Sequence, residues 1–127
     1  MFNIFLSLFI IVLISYFMIF YVFKYSSNQK EKVKDLYAEG LDLLVSGKRK
    51  SAYKNFKQIL IKDSENVKAY LRLGQVLRES KSPSKALKIH QQLLHRKKIS
   101  FHDQIDLHKN LALDYFFLNK FKKSIKE

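Results

Sequence analysis

A small residue recurs at a fixed distance along the charged part of the chain. Gly40 and Gly74 are 34 residues apart, and the same interval separates Ala52 from Ala86, Leu43 from Leu77, and Phe56 from His90. Each glycine is followed twelve positions later by alanine, with apolar residues at helical spacing between and after. A period of this length, made of two short amphipathic helices, predicts stacked helical hairpins. Gly and Ala then fall where two helices cross, because a bulky side chain there forces the axes beyond about 8–10 Å.

These residues resemble the tetratricopeptide repeat family. Leu36, Gly40 and Leu43 stand on the first helix of copy one, and Tyr70, Leu73, Gly74 and Leu77 on that of copy two. The second helices carry Ala52 and Phe56, then Ala86. A third copy is expected from Leu111, Ala112, Tyr115 and Ser124, with an offset of 38 residues from Gly74 to Ala112. The resemblance implies an all-α fold: an N-terminal transmembrane helix followed by a short solenoid of two full repeats and a truncated third. The boundaries expected are 1–24 for the membrane helix, 25–30 for a juxtamembrane linker, and 31–127 for repeats at 33–66, 67–100 and 103–127. A half-exposed last hairpin without a polar cap reads as a fragment of a longer array.

Residues 1–23 contain no charged side chain and are rich in Phe, Ile, Leu and Val. At 1.5 Å per residue the run spans ~33 Å, enough to cross a bilayer core of ~30 Å. No basic residue precedes it and no small-residue cleavage site follows, so a permanent anchor is expected rather than a signal peptide. Lys24, Lys30, Lys32 and Lys34 crowd its C-terminal flank, which by the positive-inside rule turns the repeats to the cytoplasm. The same lysines can meet anionic headgroups at the membrane surface. Tyr16, Tyr21 and Tyr25 are candidate interface anchors.

Local signals place the hairpins at 31–46 and 49–62, then 67–80 and 83–96, with Gly47 breaking the first. Ser82 before Pro83 predicts an N-cap followed by proline at the first helical position. His95, Arg96, Lys97 and Lys98 suit a helix C-terminus, and Ser100 with Asp103 predicts a capping box.

The balance of 24 Lys+Arg against 11 Asp+Glu gives a net charge of +13, all of it at or after Lys24. Such a surface fits anionic lipid, acidic protein or nucleic acid alike, and an AT-rich genome would also produce it. The chain has no Cys, which excludes a disulfide framework or a Cys-based zinc site within it. His90 and His95 are five apart, and His102 and His108 six apart, so neither pair shares a helical face as metal ligands would. His90, in the place of Phe56, is expected on a packing face, partly buried. Glu39, Asp42 and Glu79 lack an activating partner, and no Gly-rich phosphate loop occurs. No enzyme and no cofactor are expected. The aromatic residues Tyr37, Tyr53, Phe56, Tyr70, Tyr115 and Phe121 fall at core spacing rather than on a stacking platform. The run of Lys48, Arg49, Lys50, Lys54 and Lys57 reads as a solvated face, or one turned to the membrane.

The segment from Ala86 to Leu94 with its Ile-His-Gln core, Arg78, the Asp114-Tyr115 pair and YAEGLDLLVSGKRKSAYKNF after an anchor are similar to the lipopolysaccharide assembly protein B family. The resemblance implies a cytoplasm-facing adaptor of the bacterial inner membrane that presents the LpxC deacetylase to the FtsH protease, limiting lipopolysaccharide synthesis. That family ends in a rubredoxin-like zinc domain with Cys pairs, which this sequence does not contain.

By analogy with the repeat family, first helices line a concave face that grips a partner without chemistry. That face is expected to include Tyr37, Leu41 and Leu44, then Leu71, Gln75, Arg78 and Glu79, then Lys109, Leu113 and Phe116. Arg78 and Lys109 would pair with partner carboxylates, and Gln75 would bond a partner backbone. Arg78→Glu is accordingly expected to weaken capture with helicity intact. Leu41 and Leu44 serve equally well as packing against a neighbouring repeat. Two other readings stand beside the adaptor: a scaffold for another membrane assembly (secretion, pilus or cytochrome biogenesis) and a membrane-proximal nucleic-acid binder.

Overall fold

The computed structural model describes the backbone of residues 2–126 and the side chains of residues 3–120. Five α-helices and no strand occur among the described residues: α1 Phe2–Val45, α2 Arg49–Lys62, α3 Val67–Glu79, α4 Pro83–Leu94 and α5 Phe101–Lys126. The chain divides into two compact units, Met1–Lys34 and Asp35–Glu127.

The first unit is the N-terminal part of α1, a helix long and apolar enough to span a membrane. Its large apolar side chains from Ile4 to Phe23 are exposed. Ser7 Oγ donates to the Ile4 carbonyl and Ser15 Oγ to the Val12 carbonyl, each at 2.8 Å. Such internal pairing suits hydrocarbon, where an orphaned hydroxyl finds no water. Lys24, Lys30, Lys32 and Lys34 are exposed. The linker expected at 25–30 is not a separate element, since α1 continues through it. YSSNQ holds no Gly or Pro to stop a helix, and Gln29 Nε2 donates to Tyr25 OH one turn back at 3.2 Å.

The second unit shows the 34-residue period in three dimensions. Ala52 and Ala86, Phe56 and His90, and Ile59 and Leu93 are each 0% exposed. A Cβ on Gly40 would lie 2.9 Å from the tip of the Phe56 ring, and one on Gly74 would overlap the His90 ring. The two glycines therefore occupy equivalent crossings, each pressed by the residue sixteen places on. Tyr37 meets Phe56 edge-on, with ring centroids 5.7 Å apart. His90 is more buried than expected, and no part of it reaches solvent.

The turns repeat as well. After α1, Gly47 takes φ +73°, with Lys48 N donating to Leu43 O (2.8 Å) and Gly47 N to Leu44 O (3.1 Å). After α3, Lys81 takes φ +61°, with Ser82 N donating to Leu77 O (2.9 Å) and Lys81 N to Arg78 O (3.2 Å). Both are Schellman closures, and Lys81 fills the left-handed position that Gly47 fills one period earlier. A Cβ in that region costs about 1–2 kcal/mol, partly offset by the extra freedom glycine has when unfolded. Lys81→Gly is therefore expected to stabilise the unit by about 0.5–1 kcal/mol, read as a higher thermal midpoint of the full chain in detergent.

Caps follow side-chain chemistry more than the pattern suggests. Asn66 Oδ1 accepts from Ala69 N at 3.0 Å and opens α3. Ser82 stands at the N-cap of α4 with Pro83 behind it, but its hydroxyl makes no capping bond. Ser100 Oγ accepts from Asp103 N (3.1 Å) and donates to Asp103 Oδ2 (2.7 Å), so half of the expected box forms. α4 closes at Leu94, and Arg96 is drawn away from the helix end to Ser64 O (2.9 Å), Glu65 (3.3 Å) and the face of Tyr70 (4.5 Å).

α5 departs from the expected third hairpin. Its inward face, Leu107, Leu111 and Asp114, reproduces Ala69, Leu73 and Val76 at the 38-residue offset, and all six are buried. Ala112, in the place of Gly74, is exposed. No turn occurs where Lys81 would recur at Asn119; the helix runs on through Lys126 because residues 114–126 contain neither Gly nor Pro. The side chain of Ser124 lies outside the described residues. Leu71, Leu93, Leu107 and Leu111 form a core cluster, with Val67, Tyr70, Leu87 and Ile99 packed around it.

Candidate binding groove

α3, α5 and the residue-37 level of the first helix enclose a groove of about 420 Å³ in the second unit. Its lining obeys the repeat. Tyr37, Leu71 and Lys109 hold one repeat position, Gln75 and Leu113 a second, Arg72 and Asn110 a third, and Lys68 and Asp106 a fourth. Positions three and four apart share one stripe of a helix, so α3 presents Lys68, Leu71, Arg72, Gln75 and Arg78 together. His102 and Asp103 close the N-terminal end of α5.

A polar chain runs along one wall. Arg72 Nε donates to Tyr37 OH at 3.3 Å and Arg72 NH1 to Gln75 Oε1 at 2.8 Å. Gln75 Nε2 donates to Glu79 Oε1 at 2.9 Å, and Arg49 pairs with Glu79 at 3.5 Å. This chain holds the wall side chains in place before any partner arrives. Gln75 thus keeps a carbonyl and an amide already engaged, and a partner backbone would compete with Arg72 or Glu79 for it.

Beneath the groove lies a buried charge cluster. Arg78 NH1 donates to Asp114 Oδ1 at 2.6 Å and Arg78 NH2 to Asn110 Oδ1 at 3.1 Å. On its other side, Asp114 Oδ2 lies 2.5 Å from His90 Nδ1, and His90 Nε2 lies 3.2 Å from the Leu71 carbonyl. A carbonyl only accepts, so Nε2 carries a hydrogen, and one further proton is held between Nδ1 and Oδ2. Asp114 and His90 are 0% exposed and Arg78 is 7% exposed. Sealed in this way, the imidazole and carboxylate join α3, α4 and α5 and present no atom to a substrate.

This corrects the reading of Arg78. Its guanidinium faces Asp114 and Asn110 rather than a partner carboxylate. Arg78→Glu would set two carboxylates together in the core, so intact helicity is no longer the expected outcome. Leu71, at 6% exposed, forms floor rather than contact surface. Tyr37, Gln75, Lys109 and Leu113 line the groove. Leu41 and Leu44 are half-buried and lie outside it, while Glu79 and Phe116 are exposed. Phe116 stacks edge-on with Phe117 at 5.8 Å and lies under Lys120. Asp114 is not among the expected site residues; in the sequence it stands out only as the neighbour of Tyr115.

No protein-family model matches the chain, and no curated protein matches it.

Proposed function

We propose that this chain is a membrane-tethered adaptor whose helical hairpins hold a segment of another protein. One observation carries the reading: equivalent positions of the first helices of the two hairpins and of α5 converge on a single groove, with Tyr37, Leu71 and Lys109 in one row. Repetition of this kind generates extended binding surfaces without catalysis. Lys68 on α3 and Lys109, Asp103 and Asp106 on α5 share the lining, so the groove offers charges of both signs to a polar segment. The apolar N-terminal helix supplies the tether, and the lysines after it favour a cytoplasmic position for the hairpins.

The likeness to the lipopolysaccharide assembly protein B family extends the proposal to a bacterial inner-membrane adaptor that brings the LpxC deacetylase to the FtsH protease. A photo-crosslinking residue at Gln75 or at Leu113, expressed in cells in the full chain, tests it. Recovery of a membrane protease and a lipid A enzyme, above a control at exposed Lys54, is the expected result. Recovery of secretion, pilus or cytochrome-assembly proteins would replace the adaptor by a scaffold. Groove sites that crosslink no protein above the control would overturn both.

A further inference from the structure

The helices of the second unit alternate in direction through short connections. The C-termini of α2 and α4 and the N-termini of α3 and α5 therefore share one end. Gly40 faces Phe56, so Asp35, where the chain enters the unit, is level with Ile61 at that same end. Three large apolar side chains stand exposed there: Ile61 at 77%, Leu94 at 48% and Phe101 at 78%. The two turns at the opposite end expose Val45 alone among large apolar side chains.

Lysines interleave with these apolar tips. Lys97 and Lys98 are exposed and make no ion pair among the described residues. Three of the acids at this end are already engaged, while Asp35 is exposed. Asp63 accepts from Glu65 N and Asn66 Nδ2, Glu65 pairs with Arg96, and Asp103 bonds Ser100. Unpaired ammonium groups beside exposed Phe, Ile and Leu match an anionic bilayer surface, with charge at the headgroups and apolar tips at the acyl boundary. Nucleic acid would satisfy the lysines but leave the aliphatic tips unused.

We infer that this end of the hairpins, through Ile61, Leu94, Phe101, Lys97 and Lys98, docks on anionic lipid headgroups of the membrane that holds the anchor. The inference rests on the anchor half of the function proposed above. Docking fixes the unit against the bilayer and orients the groove relative to it, and it weakens as salt screens the lysines.

The chain has no Cys, so one probe can be placed freely. An environment-sensitive fluorophore at Ser64→Cys, in the full chain reconstituted in lipid nanodiscs, reports contact through quenching by a headgroup-nitroxide lipid. A probe at Ser46→Cys reports the opposite end. With 30% phosphatidylglycerol, quenching at 64 is expected to exceed that at 46 severalfold. The excess is expected to disappear in pure phosphatidylcholine, in 0.5 M NaCl, and in Lys97→Glu/Lys98→Glu, whose helicity is checked by circular dichroism. Equal quenching at the two ends, or quenching indifferent to lipid charge, overturns the docking. Carbonate-resistant retention in neutral lipid reads the anchor by itself. A chain retained there without charge-dependent quenching loses only the docking, whereas one released from neutral lipid loses both.

Discussion

Asp114→Ala is expected to destabilise the helical unit by about 3–5 kcal/mol, the range for breaking a buried ion pair by removing one partner. Arg78 and His90 both depend on this carboxylate. Arg78 would keep only Asn110 and its narrow edge on the groove, and His90, with no exposed atom, only the Leu71 carbonyl. Asp114→Asn keeps the volume and an acceptor but not the charge, so about 1.5–3 kcal/mol is expected, the worth of a hydrogen bond to a charged group. The triple change Arg78→Met/His90→Phe/Asp114→Leu should recover most of the loss, because buried ion clusters often do no better than apolar residues of similar volume. Thermal unfolding of the full chain in detergent, followed at 222 nm, gives the ranking. A loss below about 1 kcal/mol for Asp114→Ala would mean that water already reaches the cluster.

The cluster also shows where the sequence was readable and where it was not. The period located Gly40, Gly74, Ala52, Ala86 and Phe56, because volume at a helix crossing leaves a mark in residue size. It placed α2 at Arg49–Lys62 for the same reason, with Gly47 supplying a visible stop. His90 in the place of Phe56 was visible as an anomaly. Its resolution was not, since the acid it needs lies 24 residues on, across an irregular offset of 38. Extending the register would have set Asp114 at the buried position of Val76, where a lone carboxylate demands a partner. Lys81 hid the second Schellman turn because the backbone there follows the closure of α3 rather than the preference of its own residue. α5 hid the missing third turn because helix propensity alone governs a segment with no packing partner for Ala112. The groove was legible as rows of repeat positions, and its polar wall was not, since hydrogen bonds such as Arg72 to Tyr37 join residues from different copies.

Phe56→Ala is expected to cost about 3–5 kcal/mol, the usual range for emptying a buried aromatic site. Phe56 is 0% exposed and is held between Gly40 and Tyr37, both on the first helix of its hairpin. The more discriminating result concerns Gly40→Ala, which should change sign with the residue opposite. In the native chain the new methyl would lie 2.9 Å from both Cε1 and Cζ of Phe56. Overpacking of about 1–3 kcal/mol then outweighs the gain of about 1 kcal/mol from replacing a helical glycine, so the single change is neutral to destabilising. Once Phe56 is Ala the overlap is gone. The same methyl then keeps its propensity gain and fills part of the void, adding about 0.8 kcal/mol for the buried carbon. Gly40→Ala should accordingly stabilise the Phe56→Ala chain by about 1–2 kcal/mol, a coupling that a double-mutant cycle on thermal unfolding resolves. Equal effects in the two backgrounds would mean that the ring does not press on Gly40. The crossing that repeats at Gly74 and His90 would then lose its volume argument as well.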